Sequence, residues 1–252
     1  MFYGLDKSML YPNYFSRLLL AFIVFFSVPA PASVMQVSVP SKVTILDSNS
    51  KDSSSLIQVS NPDKDTPRFV KIGVYYIDPD SIGTGKEKLI EIKGKLKKDN
   101  LIVLPEKIAI PPNGRTNVRA IYTGKELDAD RNYKIRFYPI TEIEYTGTES
   151  KEEKKATLFF SISSTTFATV VKSNPAYQLD VDGGRLTNNG DSITLLQNCN
   201  ICRENDCKVF TEFRLPPKRQ LDFNSIINGD SKLTWQCDLV EPGAGKRVIT
   251  SQ

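Results

Sequence analysis

The sequence predicts an all-β chain folded as two β-sandwich domains in series, and three observations carry that prediction. From Val34 onward, short alternating or apolar runs are separated by turn residues, and hardly any stretch keeps a helical period over two turns. The composition is globular, with 40% hydrophobic and 25% charged residues in 252, which is enough for two cores of roughly 100 residues each. All four cysteines fall between Cys199 and Cys237, so the second half is held together by means the first half lacks.

Ahead of the first strand, "MLYPNYFSRLLLAFIVFFSVPAPAS" places Arg17 before an apolar run from Leu18 to Val28. It ends in Ala30-Pro31-Ala32, the small-x-small pattern that signal peptidase reads. Residues 1–32 are therefore read as a cleaved signal peptide, with Met9 as an alternative start. About 11 apolar residues fall short of the roughly 20 that a spanning helix needs. No membrane insertion is expected after cleavage, and the mature chain belongs in an oxidising compartment.

The first domain is expected over residues 33–172. "SVPSKVTIL" reads as one strand, "SLIQVSN" as a second ended by Asn61-Pro62-Asp63, and "RFVKIGVYYID" as a third. The Lys-rich "GKEKLIEIKGKLKK" is the solvated face and turn of a hairpin, because Leu89, Ile90, Ile92 and Leu96 are spread through it. "NLIVLPEKIAIPPNGRTNVRAIYTG" supplies two more strands around Pro112-Asn113-Gly114, where glycine accommodates a tight turn. "NYKIRFYPITEI" alternates, with Tyr133, Ile135 and Phe137 on one face. A charged stretch, "EYTGTESKEEKKA", then leads into "TLFFSISSTTFATVVKSNP", in which Leu158, Phe160 and Ile162 share a face. About seven strands in such a length is the count of an immunoglobulin-like sandwich.

Pro175 interrupts the last of these strands and suits a hinge. The second domain, residues 173–252, shows strands at "AYQLDV", "GRLTNNGD", "SITLLQN", "KVFTEFRL" and "KLTWQCDL". A domain this small needs staples, and an even, clustered cysteine set in an exported chain reads as two disulfides whose pairing spacing alone leaves open.

Several function classes are excluded. With residues 1–32 removed, 31 basic and 28 acidic residues leave a net charge of +3, too weak for a nucleic-acid binder. The chain has no histidine, so Ser-His and Cys-His pairs and imidazole-bearing metal sites are absent. "CNIC" lacks the strand-to-helix flanks of a redox motif. Glu142 and Glu144 lie close together but at a strand end, which does not make the paired carboxylates of a glycosidase. No enzyme activity, cofactor or metal is expected.

The order of "IPPNGRTNVRAIYTG", "DRNYKIRFYPI" and "TTFATVVKSNPAYQLDVDGGRLTNNGD" resembles the periplasmic chaperones of chaperone/usher pilus systems, in particular their alternate branch serving common-pilus-type fimbriae. The resemblance covers nearly the whole mature chain. It implies two immunoglobulin-like domains joined at an angle, like a boomerang, and a periplasmic location. The implied function is binding of pilin subunits and their delivery to an outer-membrane usher without ATP. It further implies donor-strand complementation, in which the chaperone lends a strand to a subunit that lacks its last one. On this chain the donated side chains fall on Leu158, Phe160 and Ile162.

The better-studied branch holds the subunit's terminal carboxylate with two cations in the interdomain cleft, as charge-assisted hydrogen bonds favour. Here the first-strand position falls near Lys42 or Val43, and the seventh-strand position holds Phe167 instead of a lysine. Lys42, Arg119, Arg136 and Lys172 are the candidate substitutes. The resemblance also implies a Cys199–Cys207 bridge, leaving Cys202 for Cys237. The competing reading is a structural fimbrial subunit or adhesin. Such a protein is expected to carry a free N-terminal donor extension, whereas a strand begins here almost at once at Val34.

Overall fold

The computed structural model describes residues 34–40, 43–50, 53–82, 86–147, 160–204, 206–227 and 232–251. The proposed signal peptide, Lys42 and Leu158 lie outside the described residues.

The first domain contains β1 (Val34–Gln36), β2 (Thr44–Asp47), β3 (Ser54–Ser60), β4 (Arg68–Ile77), β5 (Leu89–Glu91), β6 (Leu101–Leu104), β7 (Lys107–Ile110), β8 (Arg115–Tyr122) and β9 (Arg131–Ile140). After a short helix, α1 (Glu142–Thr146), it ends in β10 (Phe160–Ile162) and β11 (Ser164–Val171). One sheet runs β2-β11-β9-β4-β5 with β7 also on β4, the facing sheet is β3-β8-β6, and β1 pairs with β10. Alternation along the strands sends one face of each sheet inward. Val70, Ile135, Phe137 and Val170 from one sheet thus meet Ile57, Val59, Val103 and Val118 from the other.

The second domain contains β12 (Leu179–Asp182), β13 (Arg185–Asn188), β14 (Thr194–Arg203), β15 (Asp206–Leu215), β16 (Gln220–Asp222), β17 (Leu233–Glu241) and β18 (Gly245–Thr250). They form a four-stranded sheet, β15-β14-β17-β18, over a three-stranded one, β12-β13-β16. Phe223 and Trp235 meet edge-on at 5.2 Å in its core. The architecture is the expected pair of immunoglobulin-like sandwiches.

Local differences from the sequence reading have simple causes. The single first strand is two: β1 pairs with β10, Ser38 bridges to Ser60 in the other sheet, and β2 then pairs in parallel with β11. The chain crosses between sheets because Pro40 has no amide hydrogen for a continuous ladder. Pro105 likewise divides β6 from β7, which belong to opposite sheets. The end of the Tyr133 strand is a helical turn, where the Thr141 hydroxyl caps the Glu144 amide and the Glu144 carboxylate accepts from the Thr141 amide. This Thr-x-x-Glu pattern is a capping box. It occupies Glu144, and the amide hydrogen bond from Thr141 is the first cause holding its carboxyl below the ordinary range. Strands β16 and β18 were not anticipated.

The disulfides correct the expected pairing. Cys199 is bonded to Cys237 and Cys202 to Cys207, each pair with Cα atoms 4.1 Å apart. The reason is strand alternation: Cys199 and Cys202, an odd number of residues apart on β14, lie on opposite faces. Cys199 turns into the core beside Cys237 of β17, whereas Cys202 stands on the outer face directly opposite Cys207 of β15. A Cys199–Cys207 bond would have to pass through the sheet.

Candidate functional site

The donor-strand region begins where the sandwich stops. Val170 and Ala168 of β11 sit in the core and Thr166 is buried with them, as the β11–β9 ladder carries these side chains inward. Counting back in twos from Val170 leads through Thr166 and Ser164 to Ile162 and Phe160. These last two are 50% and 52% exposed. The apolar row that fills the domain's own core therefore continues past its end into solvent.

The backbone there is partly unpaired. The ladder between β11 and β9 ends at Ser164 and Phe137. Pro139 has no amide hydrogen to extend it, and the contact beyond comes from the Ser161 hydroxyl, which donates to the Pro139 carbonyl at 3.0 Å. On its other side β10 runs parallel to β1, with Phe160 opposite Val34 and Ile162 opposite Gln36. Among the described residues, β10 thus has one edge in a short parallel pair and one edge outside any backbone ladder.

The opposite face of β11 turns to the cleft between the domains. There Phe167 lies beneath the Arg214 guanidinium, 3.7 Å from ring centre to Cζ, with the Lys134 ammonium 5.4 Å from the same ring. Cations over an aromatic face are held by its quadrupole. Lys134 also pairs with Glu87 at 3.2 Å, and Glu212 accepts from the Val43 amide and the Gln197 side chain. Burial pushes the Arg214 pKa down, against the fields of Glu87 and Glu212. Two residues along β9 from Lys134, Arg136 stacks over the Tyr75 ring at 5.1 Å, and the Tyr75 and Tyr138 hydroxyls are 2.8 Å apart. Burial, followed by the bond to Tyr138, pushes the Tyr75 phenol up to about 12.

The four proposed carboxylate anchors therefore do not converge. Arg136 lies on the sheet face that carries Phe167. Arg119 points outward from the facing sheet, between Leu56 and Leu104. Lys172 is taken by Asp191 at 2.7 Å, and Lys42 is outside the described residues. Lys134 and Arg214 were missed. Lys134 was marked only by its outward place in an alternating strand, and nothing in the sequence ties Arg214 to Phe167.

The hinge fixes the cleft. Asp130, before β9, accepts from the Lys172 amide at 2.9 Å, the Ser192 hydroxyl at 2.8 Å and the Ile193 amide at 2.6 Å. Asp191, from the second domain, accepts from the Lys172 ammonium and, at 2.8 Å, from the Ala176 amide. The bond from Lys172 is the first cause holding the Asp191 carboxyl below its ordinary range. Val171, Ile193 and Leu195 pack together behind this clasp, with Ile45 and Val240 against them. Each domain thus grips a segment belonging to the other.

No helix among the described residues is long and apolar enough to cross a membrane. No family model and no curated protein matches the chain. Solved structures do match its fold. The Pseudomonas aeruginosa CupB2 chaperone is 11% identical, with 85% of this chain and 98% of that one aligned at a TM-score of 0.50. The periplasmic chaperone SfaE is 12% identical over the same shares, also at 0.50. The SafB chaperone, solved with the Salmonella enterica SafA pilin, is 12% identical over 87% and 97% at 0.48. The chain shares the two-domain fold of the CupB2 and SfaE chaperones.

Proposed function

We propose that the chain is a periplasmic chaperone for pilin subunits, which it holds by lending β10 to their unfinished sandwiches before delivery to an outer-membrane usher. One observation carries this reading: the apolar row of β11 runs out of its own core and leaves Phe160 and Ile162 in solvent beside an open backbone edge. A protein with no use for that row gains nothing by exposing it. The shared fold supports the same reading.

In this mechanism a subunit strand pairs with β10 while Phe160 and Ile162, with Leu158 ahead of them, enter the subunit's groove. Fully burying a large apolar side chain contributes about 1.5–3 kcal/mol, and each edge hydrogen bond about 0.5–1.5 kcal/mol net. Two half-exposed residues and a few bonds therefore supply several kcal/mol, which ordering of the strand partly offsets. Of the candidate anchors, Arg136 best suits the subunit's terminal carboxylate. Its guanidinium lies on the cleft-side face, held by an aromatic ring, whereas Lys172 is already paired.

The test is co-expression with a cognate pilin. Replacing Phe160 and Ile162 together by Asp leaves the protein soluble, since neither contributes to its core, and abolishes co-purification of the subunit. Pilin recovered at the unmodified protein's yield would falsify donation from β10.

A further inference from the structure

We propose that the Cys202–Cys207 bridge is a thiol–disulfide exchange site, opened in the folded protein by a dithiol protein of the thioredoxin class while Cys199–Cys237 stays closed. The inference rests on the geometry of the second domain and is independent of the chaperone reading.

Both bridges join neighbouring strands of the same sheet, yet their surroundings are opposite. Cys199 and Cys237 are 0% and 1% exposed, inside the core with Trp235 and Leu239. Cys202 is half-buried and Cys207 exposed, near the end of the β14–β15 hairpin. Exchange begins when a thiolate reaches a disulfide sulfur, so access decides which bridge reacts. Among the described residues, β15 is an edge strand, paired with β14 alone. Asp206 to Val209 are all exposed, with Val209 at 77%, so nothing among the described residues covers the approach to Cys207.

The fold also tolerates the opening. The outer bridge closes a separation of 5 residues and the inner one 38, so the outer bridge restricts the unfolded chain much less. With the outer bridge open, β14 keeps its ladder to β15 from Thr194–Leu215 onward, and the inner bridge still ties it to β17. In the reaction, the partner's thiolate attacks the Cys207 sulfur and the S–S bond breaks. Its electron pair leaves on the Cys202 sulfur, which takes up a proton. The partner's second thiol then attacks the mixed disulfide and releases Cys207 as a thiol. Two electrons pass from the partner dithiol to the bridge, and the partner is left as a disulfide. The reverse sequence closes the bridge.

The probe is thioredoxin with its reductase and NADPH, applied to the folded full chain, followed by N-ethylmaleimide without denaturant and peptide mass mapping. The expected result is labelling of Cys202 and Cys207 at least about a hundredfold faster than Cys199 and Cys237, with an unchanged circular dichroism spectrum, because the buried pair reacts only through unfolding. Labelling of all four together, or of none until denaturant is added, overturns the proposal. A double variant, C202S with C207S, checks the assignment: it should take up no label under the same conditions, and native labelling of its remaining pair overturns the selectivity claimed.

Discussion

Replacing Asp130 by Ala tests the hinge most directly, because one side chain there serves both domains. Its carboxylate accepts from the Lys172 amide on the first-domain side and from Ser192 and Ile193 on the second. Truncation leaves those three donors without their acceptor in a part-buried junction. Hydrogen bonds to a charged group contribute about 1.5–3 kcal/mol each, and breaking a buried network by removing one partner costs about 3–5 kcal/mol. The loss is about 3–5 kcal/mol, because the amides recover some water once the junction loosens. For a chain of this size that corresponds to a fall of roughly 6–20 °C in the melting midpoint. Asp130→Asn keeps one acceptor oxygen and should lose about half as much.

Calorimetry and small-angle scattering report the two consequences separately. The expected result is a split of the heat-absorption peak into independent domain transitions, with a broader distribution of interdomain distances in solution. A single transition at the original midpoint and an unchanged scattering profile would show that the Val171–Ile193–Leu195 cluster and the Phe167–Arg214 contact hold the domains without it. The clasp would then be incidental.

Two further outcomes follow from the same junction. The Asp191 carboxyl, held below its ordinary value of 3.8, contributes stability that is fully present above that value and is lost as pH falls through the lower folded value. Melting curves recorded from neutral pH downward should therefore show Asp191→Asn destabilised at neutral pH and converging on the unmodified protein below about pH 4. A constant gap across that range refutes the linkage. Gly190→Ala should destabilise the hinge by about 1–3 kcal/mol, as overpacking does, because a methyl group there presses into the Ala176 carbonyl oxygen. Denaturant titration measures it, and an unchanged midpoint would place slack where the structure shows contact.

Much of the fold was legible because strand alternation is a local property. Tyr133, Ile135 and Phe137 read as one face, and all three are fully buried. The capping box at Thr141 and Glu144 was equally legible, yet the strand pattern leading into it hid the helical turn. The cysteine spacing on β14 places Cys199 and Cys202 on opposite faces and so excludes a bond between them, but which strand supplies each partner is a matter of register. The resemblance pointed elsewhere, and the register overruled it. The candidate cations are scattered for another reason. Whether Arg119 and Arg136 meet depends on which sheet each strand joins, and outward-facing charges look alike in sequence.

The chain by itself determined the all-β class, the two-domain division, the apolar row at Phe160 and Ile162, and the absence of histidine chemistry. Each depends on neighbouring residues or on simple counts. Tertiary structure alone decided that this row emerges from its own core, that Arg214 covers Phe167, and that Asp130 and Asp191 clasp the hinge. Those facts depend on where one domain ends and how the other is set against it, and contacts between residues far apart in the chain leave no local period to read.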